Sequence, residues 1–281
     1  MLEAMRREGE GFVHFAVRLS QMSIWDQVWL TLDEKARRRA WRFHYFYYLV
    51  TILAIPRAVY FYLLLHVRSP AGIVWLRDSQ MTPWRVMRDI AAARLVRKLQ
   101  LVTGWTASPA IVWPKTVPSS CVIAYFHSNW DMIIACEFAN RRWCLMRTHE
   151  DWARRLGTQY VAWKNPLRTL VRSVIEGSRC GVAIDTSVNV VNVPIARTSI
   201  GLSTTPFRIA ALTGTPLVPV WPVYERGVVR LAAGKPIEVP KGDVGYKVAL
   251  NLAGQFFEYA IQRDPASWRK IFPFLMHLNN V

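Results

Sequence analysis

The sequence lacks the short motifs that mark several common enzyme classes. No Gly-x-Ser-x-Gly elbow, Walker loop, Gly-x-Gly-x-x-Gly run or His-Glu-x-x-His helix occurs in its 281 residues. These motifs position a nucleophilic serine, a nucleotide phosphate or a zinc ion. Their absence therefore weighs against serine hydrolysis, nucleotide-dependent chemistry and zinc-dependent hydrolysis. The chain also has no internal repeat and no low-complexity linker.

Cysteine is scarce in this chain. The sequence has no Cys-x-x-Cys pair and no histidine at zinc-finger spacing among its four cysteines, which are Cys121, Cys136, Cys144 and Cys180. We therefore expect buried, reduced thiols in a protein that faces the cytosol, with no disulfide framework and no bound metal.

Acidic residues are also few. The chain has 19 Asp and Glu against 36 Lys and Arg, which gives a formal net charge of +17. This excess predicts an anionic partner: a nucleic acid, an anionic membrane leaflet or an acidic carrier protein. The 13 Trp and 10 Tyr suit either a lipid headgroup region or stacked bases. Because no helix-turn-helix, RNA-recognition or zinc signature is present, we expect no nucleic acid partner.

The most apolar segment, residues 45–66, is interrupted at its centre by Pro56 and Arg57. A basic cluster, residues 35–42, directly precedes it, as is typical of a segment at the anionic cytoplasmic leaflet. An Arg at mid-depth in a bilayer costs about 2.5–3.5 kcal/mol on insertion scales, so a straight span is not the default interpretation. The alternatives are a segment that lies in or dips into the membrane interface, which we favour, and a buried helical hairpin bent at Pro56.

These patterns divide the chain into two parts. We assign residues 1–80 to a basic and apolar membrane-associated segment, and residues 81–281 to a catalytic domain. The first 22 residues mix acids and bases without an apolar run, so we expect no cleavable signal peptide.

From about residue 80 onward, short apolar runs alternate with amphipathic stretches, which predicts an α/β fold. We expect a central, mostly parallel or mixed sheet flanked by helices. The predicted helices cover residues 84–104, 132–138, 166–177, 204–213 and 243–262. The predicted strands cover residues 121–126, 141–147, 181–184 and 215–221, with a late strand or hairpin at 228–239.

A polar corner follows the first predicted strand. The apolar run 121–126 ends abruptly at His127, and Asp131 stands four residues later. If the corner is already helical, one turn places both side chains on one face, where the carboxylate can hold one imidazole nitrogen. That contact fixes the tautomer and raises the basicity of the ring, which can then take a proton from a hydroxyl. His127 and Asp131 are therefore catalytic candidates.

Residues 120–270 resemble the lysophospholipid acyltransferase superfamily, and within it the lipid A lauroyl/myristoyl acyltransferase branch. Four segments account for the resemblance: Tyr125-Phe126-His127-Ser128-Asn129-Trp130-Asp131, Leu167–Arg172 with Glu176-Gly177 and Val182-Ala183-Ile184-Asp185, Pro206–Val220 with its Ala-x-x-Thr-Gly-x-Pro-x-x-Pro-Val pattern, and Asp264-Pro265-Ala266-Ser267-Trp268.

The resemblance implies a role for each matching residue. His127 would be the general base on the acceptor hydroxyl, and Asp131 would orient it. Arg155, or its neighbour Arg154, would stabilise the oxyanion or bind an acceptor phosphate, and Asp185 would brace the active-site loops. One feature departs from the family pattern: His127 and Asp131 have three residues between them, where the family has four. Either the corner is one residue shorter and Asp131 still reaches His127, or the His–acid dyad is altered in this chain.

The resemblance also implies the substrates. The donor would be an acyl thioester of acyl carrier protein or coenzyme A, used as a co-substrate with no bound cofactor. The acceptor would be a hydroxyl of a glycolipid or lysolipid at the cytoplasmic face of the inner membrane. The phosphatidate-forming branch is disfavoured because its Phe-Pro-Glu-Gly-Thr block is absent. A glycolipid acyltransferase of the phosphatidylinositol mannoside or ornithine lipid type, a catalytically inactive lipid-binding relative and a basic nucleic-acid-binding protein remain as alternatives.

Overall fold

The computed structural model describes Trp29, Leu32 and residues 34–79, 81–103, 115–128, 166–185, 189–196, 198–225, 228–268 and 270–278. Its helices are α1 (Glu34–Arg68), α2 (Pro70–Asp78), α3 (Pro83–Thr103), α4 (Pro166–Ile175), α5 (Thr205–Thr213), α6 (Asp243–Arg263) and α7 (Ile271–Met276), with a short 3₁₀ turn at Pro265–Ser267. Its strands are β1 (Cys121–Tyr125), β2 (Arg179–Ala183), β3 (Val190–Ile195), β4 (Thr198–Ser203), β5 (Leu217–Glu225) and β6 (Val228–Ala233). The predicted α/β class with a sheet flanked by helices is confirmed.

The chain divides into two compact units. The first unit comprises residues 1–111, 223–230 and 265–281, and the second unit comprises residues 112–222 and 231–264. The sequence-based division at residue 80 stays a prediction.

Helix α1 of the first unit is one continuous helix of 35 residues that contains Pro56. The alternative of a helical hairpin bent at Pro56 is therefore wrong. Proline has a helix-compatible φ, so the chain continues through it with the loss of a backbone hydrogen bond. One side of α1 packs against α2, α3 and α7. Its buried residues are Ala40, Tyr47, Ala58, Phe61 and Leu65.

The turn between α1 and α2 is fixed to the end of the chain. The hydroxyl of Ser69, which is buried, lies 2.8 Å from the carbonyl oxygen of Leu275 and 3.1 Å from that of Leu278. A Cβ on Gly72 would lie 2.7 Å from the same Leu275 carbonyl, so only glycine allows the backbones to approach this closely. Trp75 then packs edge-on against Phe274, with ring centroids 5.5 Å apart.

The second unit is built on a sheet with strand order β2-β1-β5-β6. Strand β1 is parallel to β2, from Cys121↔Arg179 to Tyr125↔Ala183, and parallel to β5 from Val122↔Leu217 to Ala124↔Pro219. The first four residues of β1 are fully buried, as expected of a central parallel strand covered on both faces. Burial raises the pKa of the Cys121 thiol to about 11, although nearby Arg179 opposes the shift.

Strands β3 and β4 form a separate two-stranded antiparallel sheet that the sequence analysis did not predict. This hairpin packs against α6. The contact is close, because a Cβ on Gly254 would lie 2.7 Å from a methyl group of Val193. The run of β-branched residues at 190–195 is the signal that sequence reasoning passed over.

Most predicted elements agree with the structure to within a few residues. The helices predicted at 84–104, 166–177, 204–213 and 243–262 correspond to α3, α4, α5 and α6, and the strands at 121–126, 181–184 and 215–221 to β1, β2 and β5. The late segment 228–239 contains β6 and an isolated bridge between Ile237 and Leu217. The helix predicted at 132–138 and the strand at 141–147 lie outside the described residues.

Candidate functional site

The strand register brings His127 and Asp185 together. Within the parallel pair, Tyr125 of β1 lies opposite Ala183 of β2, and each strand ends there. His127 and Asp185 both stand two residues further along, so the same offset of 58 residues places them side by side. They lie at the carboxyl edge of the sheet, where α/β folds characteristically place functional groups.

The Asp185 side chain accepts the hydrogen bond from the His127 amide that a backbone carbonyl would accept in a regular β-ladder. The amide of Ile184 donates to the carbonyl of Tyr125 at 2.9 Å, which continues the parallel ladder one step beyond β1. In a regular ladder the amide of His127 would next donate to the carbonyl of Ile184. That carbonyl instead accepts from the amide of Ser203 at 2.6 Å, and the amide of His127 donates to Asp185 Oδ1 at 2.9 Å.

The same carboxylate oxygen also holds the imidazole ring. Nδ1 of His127 lies 2.7 Å from Oδ1 of Asp185. With Asp185 ionised, its carboxylate can only accept hydrogen bonds, so Nδ1 donates to it and the lone pair of a neutral ring lies on Nε2. The Asp185 side chain is only 1% exposed, whereas that of His127 is 38% exposed. The arrangement is thus a buried acid that orients a solvent-accessible imidazole.

An aromatic cluster surrounds Phe126, the residue before the histidine. Phe126, which is fully buried, stacks on Phe257 of α6 with centroids 4.3 Å apart and planes inclined by 15°. Trp221 of β5 packs edge-on against Phe126 at 5.9 Å. Because Phe126 and His127 are adjacent, these rings fix the backbone that presents the imidazole. Sequence reasoning missed Phe257, since no local pattern links α6 to a strand far earlier in the chain.

The β3–β4 hairpin and α5 adjoin the acid. Ser203 ends β4, and its amide bonds to Ile184, the residue before Asp185. The Ser203 hydroxyl accepts from the amide of Thr205 at 3.3 Å, which satisfies one of the orphan donors in the first turn of α5. The turn at residue 185 is therefore held from β1 on one side and from β4 on the other.

The structure places two of the five predicted site residues. It brings His127 and Asp185 into direct contact, with Nδ1 of His127 2.7 Å from Oδ1 of Asp185. Asp131, Arg154 and Arg155 lie outside the described residues, and their roles stay predictions. Within the described ranges, no group of three or more His, Cys, Asp or Glu side chains is arranged to hold a metal ion.

Comparisons with known proteins show a distant structural likeness. No family model matches the chain, and no curated protein matches it. Among solved structures, it is similar to the 1-acyl-sn-glycerophosphate (LPA) acyltransferase PlsC from Thermotoga maritima, with a TM-score of 0.39 and 15% identity. The match covers 74% of this chain and 97% of that chain. At this identity and score, the likeness by itself assigns neither an activity nor a substrate.

Proposed function

We propose that this protein is a membrane-associated O-acyltransferase, which moves a fatty acyl chain from a thioester donor to a hydroxyl of a lipid. The observation that most supports the proposal is the hydrogen bond of 2.7 Å between His127 Nδ1 and Asp185 Oδ1 at the carboxyl edge of the sheet. It gives the chain an oriented general base, the group that activation of an alcohol requires.

His127 acts on the acceptor hydroxyl. Nε2 takes the hydroxyl proton while the oxygen attacks the thioester carbonyl, so that a C–O bond forms and the carbonyl becomes an oxyanion. The oxyanion then collapses, the C–S bond breaks, and the imidazolium returns the proton to the departing thiolate. Asp185 stabilises the imidazolium that forms between these steps and keeps the ring in one orientation.

The remaining predicted residues complete the mechanism. We assign Arg155, or its neighbour Arg154, to the oxyanion or to an acceptor phosphate, because guanidinium groups bind both. Asp131 would be a second acid near His127. A donor in the oxyanion role assigned to Arg155 or Arg154 typically contributes about 2.7–4 kcal/mol to transition-state stabilisation.

A lipid acceptor agrees with the surface of α1. By length and composition, this helix is apolar enough between Arg37 and Arg68 to cross a membrane, and only 17% of its most apolar window is buried. The net charge of +17 would attract an anionic leaflet and an acidic acyl carrier protein alike. We therefore propose a glycolipid or lysolipid acceptor at the cytoplasmic face of the inner membrane, with acyl carrier protein or coenzyme A as the thiol of the donor.

Lipid mass spectrometry tests this function directly. Lipids from cells that express the parent protein are compared with lipids from cells that express His127→Ala at the same level. We expect an acylated lipid in the parent sample only, at the expense of a species lighter by one acyl group. That pair would name the acceptor and the chain length together. Identical lipid profiles would contradict the proposed function.

A further inference from the structure

Helix α1 presents a continuous outer stripe opposite its buried side. The stripe comprises residues at intervals of three or four, all exposed, which are Arg38, Arg42, Tyr45, Leu49, Leu53, Pro56, Tyr60, Leu63 and Val67. A repeat of this kind follows one face of an α-helix. After its first two arginines, the stripe contains no charged side chain. Between 52% and 82% of the surface of Leu49, Leu53, Tyr60, Leu63 and Val67 is exposed.

The two flanks of this stripe differ from it in chemistry. One flank has Arg39, Arg57 and Arg68, all exposed. They recur after 18 and 11 residues, which is close to a whole number of helical turns, so they lie nearly in line. The other flank has Trp41, Tyr48, Ile55 and Tyr62 at intervals of seven. Cations and amphipathic rings are both suited to the headgroup layer of a membrane.

We infer that α1 lies in the plane of an anionic membrane surface, with its outer stripe among the acyl chains and its two flanks at headgroup depth. In this orientation Arg39, Arg57 and Arg68 share one depth and face lipid phosphates. In a spanning orientation Arg57 would lie about 27 Å from Arg39 and about 16 Å from Arg68 along the axis, deep in the hydrocarbon.

The neighbouring helix favours the same orientation. The buried side of α1 extends from Ala40 to Leu65 and packs against α3 within the first unit. Helix α3 contains Arg85, Arg88, Asp89, Arg94, Arg97 and Lys98. A spanning α1 would take part of this charged helix into the bilayer with it, at a large cost for each charge. An in-plane α1 leaves α3 on the aqueous side.

Labelling from one side of a membrane distinguishes the two orientations. Lys35→Cys and Arg68→Cys, introduced one at a time near the two ends of α1, are exposed to a membrane-impermeant maleimide in sealed vesicles from expressing cells. Peptide mass spectrometry reads each site separately, so the native cysteines stay in place. We expect both positions to react from the same side. Reaction from opposite sides would overturn the inference in favour of a span.

Flotation tests the outer stripe itself. The full-length protein is mixed with vesicles of phosphatidylcholine alone or with an equal part of phosphatidylglycerol. We expect Leu53→Asp to weaken partitioning about tenfold or more, because it places a charge among acyl chains. The matched control Leu212→Asp alters a side chain of α5 that is 57% exposed and should partition like the parent.

The charges are tested in the same assay. Arg57→Glu should weaken binding to the anionic vesicles about fivefold or more and leave binding to neutral vesicles nearly unchanged. Unaltered flotation of Leu53→Asp, or a parent protein that dimerises through α1 and ignores vesicles, would overturn the inference. Because neither readout needs acyl transfer, failure here is separable from failure of the proposed function.

Discussion

Oδ1 of Asp185 accepts two hydrogen bonds from His127, one from the backbone amide at 2.9 Å and one from ring Nδ1 at 2.7 Å. The first bond ends the ladder between β1 and β2, and the second orients the imidazole. One buried carboxylate thus couples the end of the sheet to the candidate base. A side chain with both roles is expected to be sensitive even to isosteric replacement.

Asp185→Asn tests this coupling. The amide can present its NH₂ group to Nδ1, which favours the tautomer with the proton on Nε2 and removes the base. We expect the rate of acyl transfer to fall about 100-fold or more while substrate binding changes little. Steady-state transfer from a radiolabelled thioester measures both quantities. Asp78→Asn, at an exposed position in the first unit, is the matched control.

Acyl transfer by Asp131→Asn is measured in the same assay as transfer by Asp185→Asn. If Asp131 also contributes to the dyad, this variant will be impaired to a comparable degree. A normal Asp185→Asn protein together with an inactive Asp131→Asn protein would show that Asp131 is the true partner of His127, and would contradict the assignment of that role to Asp185.

The aromatic cluster around Phe126 is predicted to stabilise the second unit. Phe257→Ala removes a fully buried ring that stacks on Phe126, so we expect a loss of about 3–5 kcal/mol in the free energy of unfolding. Tyr259→Ala changes a ring on the same helix that is 61% exposed, and should cost less than about 0.5 kcal/mol. Denaturant unfolding of both proteins gives the comparison. Equal stabilities would show that the stack contributes nothing.

Asp89 is predicted to make stability depend on pH. Burial raises the pKa of this carboxyl above its usual value of 3.8, although Arg88 and Arg85 oppose the shift. The folded state therefore binds more protons than the unfolded state between the two pKa values, and stability falls as pH rises from about 4 through the folded pKa. Asp89→Asn should flatten this part of the profile. Thermal unfolding of the parent and of Asp89→Asn is measured across pH 4 to 8. Parallel plots of stability against pH for the two proteins would contradict the prediction.

Cys121 is predicted to resist alkylation in the folded protein. With a pKa of about 11, only about one thiol in a thousand is ionised at pH 8, and the side chain is fully buried. Treatment with iodoacetamide at pH 8, read by peptide mass spectrometry, should leave Cys121 unmodified until denaturant is added. Rapid modification of the native protein would show that β1 is not the buried central strand described.

The local sequence pattern was sufficient to predict much of the fold. The alternation of apolar runs and amphipathic stretches located β1, β2 and β5 as well as α3 to α6, because the residues that form each element also determine its periodicity. The β3–β4 hairpin was missed because its β-branched residues do not alternate with polar ones: Val190 and Val191 are adjacent in sequence, and the structure leaves both exposed.

The site was predictable only in part. The abrupt end of an apolar strand identified His127, and the family resemblance pointed to Asp185, but neither indicated that they touch. Their contact depends on the pairing of Tyr125 with Ala183, a strand register that no local pattern encodes. The spacing rule that led to Asp131 assumes a helical corner, and Asp131 lies outside the described residues. The contact between His127 and Asp185 arises from two adjacent strand ends.

The most direct test of the account is acyl transfer by purified protein with His127 intact or replaced. A radiolabelled acyl thioester is offered with membrane lipids from cells that express His127→Ala, in which the acceptor is expected to remain unacylated. The label recovered in lipid is then compared for the parent, His127→Ala and the control His277→Ala. We expect His127→Ala to transfer about 10²–10⁴-fold more slowly while it unfolds at the same temperature as the parent. Equal transfer by the parent and His127→Ala would contradict the assignment of His127 as the general base.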